Sequence, residues 1–160
     1  MQKSRFQTLF AYHWHTTRQL MQCAERLSAA DYMENPGYGH GSIHDLFSHL
    51  LRSVTRWRQT LESGQQPASW GGEAYPNLEI LQAGFASEQA AWEAYLSGLS
   101  EAEINEALEL TNRRGELLTT TRWRVLEHVV LHGMQHHSEL AQLLTAKGQS
   151  PGNIDFIYFK

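Results

Sequence analysis

Apolar side chains recur along this chain at three- and four-residue steps in four separate runs, and that period constrains the fold more than any other feature. The first run holds Phe6, Leu9, Phe10, Trp14, Leu20, Met21 and Leu27. The second holds Ile43, Leu46, Phe47, Leu50, Val54, Trp57 and Leu61, and the third Leu78, Leu81, Phe85, Trp92, Leu96 and Leu99. A fourth extends from about Thr121 to Lys147. Each run is the stripe of an amphipathic helix, which must bury one face against a neighbour. No strand alternation of comparable strength competes. The expected fold is all-α, a four-helix bundle. With 160 residues the chain fits one domain over 1–160. At that size it buries about two-thirds of its unfolded surface. Trp14, Trp57, Trp70, Trp92 and Trp123 are available as core anchors.

The breaks between runs carry their own signals. "ENPGYGHG" ends the first helical region, and Ser42 followed by Asp45 three residues later makes a capping box for the second helix. Residues 63–77 read as a long loop. Between 100 and 120 the pattern is less regular, and Gly115 in "TNRRG" suggests a short hairpin turning around Asn112 to Gly115. Gly148 with Pro151 beyond it stops the last helix. The tail "NIDFIYFK" carries four large apolar residues and is expected to fold back on the body.

Charge and cysteine content narrow the function. A net charge of -4 argues against nucleic-acid binding, which needs a basic surface; Arg52, Arg56 and Arg58 make only a local patch. The single cysteine, Cys23, allows no internal disulfide and no cysteine-built zinc cluster. The N-terminal segment lacks a signal-peptide apolar run, and no stretch approaches the ~18 apolar residues of a membrane span. A cytoplasmic protein is expected, with no membrane or nucleic-acid partner.

Chemistry concentrates in "HVVLHGMQHHSEL", which holds His128, His132, His136 and His137. At about 100° per residue, Val125, Leu126, Val129, Leu140, Leu143 and Leu144 form the apolar stripe of the last helix. His136 falls at one edge of that stripe, His132 about 40° further out, then Glu139 and His128. These four make a half-buried polar ridge. His137 faces the stripe on its other side, where packing is its expected role. Rings at 132 and 136 stand one above the other and can reach a single cation. The same pair can instead hydrogen-bond a carbonyl or carboxylate, and periodicity leaves both open. A metal in a bundle needs further ligands from a facing helix. His44 and His49 on the second helix are both candidates, and projection does not choose between them. His13 projects into the middle of the first helix's stripe and is expected to be a satisfied core histidine. His15 and His40 read as exposed or loop-borne, and Glu127 as exposed.

"SIHDLFSHL" with Trp57 downstream, then "TRWRVLEHVVLHGMQHHSELAQLL" and the closing "DFIYF", resembles the DinB family of metal-binding four-helix proteins over nearly the whole chain. In that family a histidine a few residues into the second helix and the first and last histidines of an "HxxHHRGQ"-like motif are ligands. The resemblance therefore implies a three-histidine site at His49, His132 and His136, with water in the open positions and commonly a homodimer. Where relatives often carry Arg-Gly-Gln after the second ligand, this chain has His137, Ser138 and Glu139.

An open site of three imidazoles suits a catalytic divalent ion, with zinc or nickel expected first and iron or manganese also compatible. Some DinB-like proteins transfer low-molecular-weight thiols, so thiol transfer to a small-molecule substrate is the sharpest expectation. The alternative is a non-catalytic metal- or small-ligand-binding stress protein. Glu139, one turn from His132 and His136, is the candidate to orient a ligand imidazole; otherwise it is a solvated carboxylate. Arg52 and Arg56 border the second helix, either as attractors of an anionic substrate or as a solvated face.

Overall fold

The computed structural model describes residues 2–67, 75–112 and 114–160. Its elements are, in order, α1 (Gln2–Ala24), α2 (Ala29–Met33), α3 (Ile43–Ser63), α4 (Leu78–Gly98), α5 (Glu101–Ile104), β1 (Ala107–Thr111), β2 (Leu117–Thr121) and α6 (Arg122–Ala146). The long helices α1, α3, α4 and α6 form the bundle. α6 packs against both α1 and α3, and α4 packs against the same two from the other side. This arrangement decides what the histidine-rich helix can do. One flank of α6 meets α1 and the other meets α3.

The capping box at the start of α3 is present: the Ser42 hydroxyl accepts from Asp45 N, and the Asp45 carboxylate accepts from Ser42 N at 2.9 Å. Gly41 precedes it at φ 94°, and a Cβ there would lie 2.7 Å from the Asp45 carboxylate oxygen. Only glycine enters this cap without strain. α1 ends at Ala24, so Leu27 lies beyond the helix and packs against the core from the turn. β1 and β2 pair antiparallel with Leu110 opposite Leu118, and Gly115 turns the hairpin at φ 76°. β2 runs straight into α6.

Trp14 and Trp92 are buried in the core with Phe10, Phe47, Leu126 and Leu140. The Trp92 indole donates to the Val54 carbonyl at 3.2 Å. Trp57 is only half-buried, a wall rather than an anchor, and Trp70 lies outside the described residues. Arg58 joins α3 to α4 through a paired contact with buried Glu88, at 2.6 and 3.1 Å. The tail folds back as expected. Tyr12 donates to the Ile154 carbonyl and its ring meets Phe156 and Phe159, while Ile157 and Tyr158 remain exposed. No helix among the described residues is long and apolar enough to cross a membrane.

Candidate metal centre

His132 and His136 stand on the flank of α6 that faces α3, as helical spacing requires. Their Nε2 atoms are 3.1 Å apart. On the far side of the His136 ring, Nδ1 donates to Glu139 Oε2 at 2.9 Å. With its hydrogen committed to the carboxylate, His136 keeps Nε2 as its lone-pair nitrogen, the arrangement that a ligand imidazole needs.

α3 brings His49 to the same point. Its ring centroid lies 4.7 Å from that of His136 and 5.4 Å from that of His132. His49 Nε2 is buried and has no hydrogen-bond partner, which costs free energy unless something else satisfies it. His44, the other candidate on α3, turns away: its Nδ1 is 3.2 Å from the Tyr32 hydroxyl of α2. A fourth ring reaches the cluster from the loop between α2 and α3. Exposed His40 stacks on His49 at 4.3 Å and meets His136 edge-on at 4.8 Å. Ligand atoms of His40, His49 and His136 all lie within 4.8 Å of one another.

The donor set fits a divalent cation. Two nitrogens each about 2.0–2.1 Å from a tetrahedral ion lie about 3.3 Å apart, close to the spacing of the α6 pair. Burial, then the neighbouring histidines, holds the His49 imidazole at a pKa of about 3 and His132 at about 4, so both rings are neutral near pH 7. Burial raises the Glu139 carboxyl, but the hydrogen bond and charge of His136, with smaller help from Gln135 and His40, together outweigh it and keep the group below its usual range. Glu139 is therefore an anion aimed at a ring rather than a solvated carboxylate. Imidazoles of this kind suit zinc, nickel, copper or iron.

The family is decided by the sequence as a whole, which matches the DinB family over residues 1–160. The chain belongs to the DinB family. Solved structures share its fold. YfiT from Bacillus subtilis, described as a probable metal-dependent hydrolase with an unusual four-helix bundle topology, is 16% identical with a TM-score of 0.68 over 94% of this chain and 91% of its own. The DinB-like protein YjoA from Bacillus subtilis is 17% identical, with a TM-score of 0.64 over 89% of this chain and 93% of its own. A DinB-like protein from Bacillus cereus is 12% identical, with a TM-score of 0.69 over 92% of this chain and 94% of its own. No curated protein sequence matches the chain.

Other histidines of this DinB protein take different places. His128 stands edge-on to Trp57 at 5.1 Å and continues the ridge from His132 at 5.7 Å. His15 is exposed beside Phe159, and Glu127 is half-buried in an ion pair with Arg5 at 3.0 Å rather than exposed. His137 packs toward α1, where its Nε2 donates to Thr17 Oγ1 at 2.9 Å while that hydroxyl donates to the His13 carbonyl. His13 is in the core as expected, stacked on His137 at 4.9 Å, but neither of its ring nitrogens has a hydrogen-bond partner.

That orphaned ring makes the fold acid-sensitive. Burial, then the charge of His132, holds His13 at a pKa of about 3 against an ordinary 6.5. Below pH 6.5 the unfolded chain takes up a proton that the native state refuses, so stability falls as pH falls, and the loss ends near pH 3. The expected slope from this one group is about 1.4 kcal/mol per pH unit. His13→Leu should remove that increment from the pH dependence of denaturant unfolding. An unchanged slope would show that His13 is not held neutral.

Proposed function

We propose that this protein holds a divalent ion between α3 and α6 through His49, His132 and His136 and uses it for metal-dependent hydrolysis or group transfer, with a low-molecular-weight thiol as the first acceptor or donor to test. The observation that carries the reading is the convergence of the three imidazoles beside Glu139, which sets the His136 tautomer. The description of YfiT as a probable metal-dependent hydrolase supports the same class of chemistry. An ion on three imidazoles with an open position lowers the pKa of water or a thiol and polarises a carbonyl.

The chain's own groups do the rest. Glu139 holds the His136 ring by its Nδ1 hydrogen and leaves Nε2 free to ligate. For His132 to ligate through Nε2 alongside it, the His132 hydrogen moves to Nδ1. Arg52 and Arg56 are half-buried rather than fully solvated, and their charges are felt at His49 and His132 respectively. They favour a substrate with an anionic group. Along the ridge, a pocket of about 340 Å³ lies between Trp57, Leu118, Arg124, Val125 and His128. It offers apolar walls for the body of a small molecule. The homodimer implied by the family resemblance remains part of the proposal.

Zinc- or nickel-loaded protein is expected to accelerate the S-alkylation of cysteine by chlorobimane, in which the thiolate displaces chloride, or the hydrolysis of a carboxylate-bearing ester. His132→Ala is expected to abolish that rate while the helical circular dichroism persists. Equal rates with and without chelator would sink the catalytic reading. One observation favours a second reading, a metal-binding protein without turnover: exposed His40 stands over the site. Stoichiometric metal with no rate on either substrate class would support it.

A further inference from the structure

We infer that His40 is a fourth metal ligand, carried on the loop between α2 and α3, which closes the centre on its solvent side. The inference rests on the reading of His49, His132 and His136 as a metal site and goes beyond it, because it converts an open three-imidazole centre into a closed four-imidazole one.

The argument begins with what an exposed loop histidine ordinarily does. Water can satisfy both nitrogens of such a ring, and leaning on a half-buried imidazole gains it little apolar contact. His40 nevertheless lies with its ring stacked on His49 and edge-on to His136, with a ligand nitrogen within 4.8 Å of theirs. His49 Nε2, buried and unpartnered, belongs to the same cluster. Three imidazoles gathered around one point repel if they take protons and gain little from each other if they do not. A shared cation satisfies all of them. His132 stands just outside that group, with its Nε2 3.1 Å from that of His136, and a ring movement toward the shared point would bring the set to four nitrogens, the number a tetrahedral zinc takes.

The backbone holds His40 where it is. Gly39 and Gly41 flank it at φ 64° and 94°, a conformation that other residues adopt only with strain. Gly41 then enters the Ser42–Asp45 cap, so the approach of the loop is tied to the first turn of the helix that carries His49. Three ligands thus sit on rigid helices and one on a loop.

The test substitutes cobalt(II) into the protein and into His40→Ala and records visible spectra with and without azide. The wild-type spectrum should show strong tetrahedral bands that millimolar azide leaves unchanged. His40→Ala should show weaker bands that respond to azide, and free imidazole should restore the wild-type spectrum. Zinc affinity by chelator competition should fall by more than about tenfold, at least the loss seen when an outer partner of a ligand is removed. A His40→Ala protein with wild-type spectrum and affinity, or a wild-type spectrum that already shifts with azide, would overturn the inference. His49→Ala and His136→Ala run in parallel separate the two readings. Loss of metal in both with no effect at His40 removes only the fourth ligand, whereas full metal retention in both removes the centre itself.

Discussion

His136→Ala should leave the protein unable to retain a divalent ion through purification, whereas Glu139→Gln should retain it with about 10–100-fold weaker affinity. The difference follows from where each side chain acts. The His136 ring lies 4.4 Å from His132, 4.7 Å from His49 and 4.8 Å from His40, and so touches every other member of the cluster. It is also 1% exposed, so its truncation leaves a buried gap with no imidazole to replace it. Glu139 meets that ring through its far nitrogen alone and otherwise accepts from the Gln135 amide. Glutamine can accept the same hydrogen bond but without the charge that strengthens it and makes the imidazole more basic. Metal per chain by elemental analysis, with chelator competition for the glutamine variant, reads both effects. Native metal content in His136→Ala would remove His136 as a ligand.

Gly133→Ala should destabilise the fold by about 1–3 kcal/mol, although alanine is the better helix former by about 1 kcal/mol. A Cβ at 133 would lie 2.4 Å from His13 Nδ1 and 2.5 Å from its Cε1. The ring cannot retreat, because it is 1% exposed and wedged between Trp14 at 4.7 Å and His137 at 4.9 Å. Its displacement would push on the next residues of α6 toward His136. Thermal unfolding should show a drop of roughly 5 °C, taking about 2–4 °C per kcal/mol for a chain of this size. His13→Ala in the same protein should relieve the clash and return most of that loss. A higher melting temperature for Gly133→Ala would mean that α1 and α6 do not approach this closely.

Helix positions were legible because their evidence is local. Ser42 and Asp45 cap α3 within three residues, Gly148 at φ 75° ends α6, and the flank of α6 that carries His132, His136 and Glu139 follows from helical geometry alone. The choice between His44 and His49 was not local. It depends on Tyr32, which sits on a five-residue helix too short to show a period and draws His44 aside. His40 was hidden for a different reason. A glycine-rich loop has no periodicity to project, and the place of its ring depends on the turns that Gly39 and Gly41 make at positive φ. The missing partners of His13 were hidden too, since an apolar stripe shows that a ring is buried but not whether its nitrogens are satisfied.

α3 and α6 touch in space but are separated along the chain by α4, α5 and the hairpin. An ion shared by His49 and His136 would therefore close a long loop of polypeptide, as a disulfide does in a secreted protein that this chain, with its one cysteine, cannot imitate. Such a staple is removable. Its strength rises and falls with free ion concentration, so the rigidity of the bundle becomes a readout of metal supply.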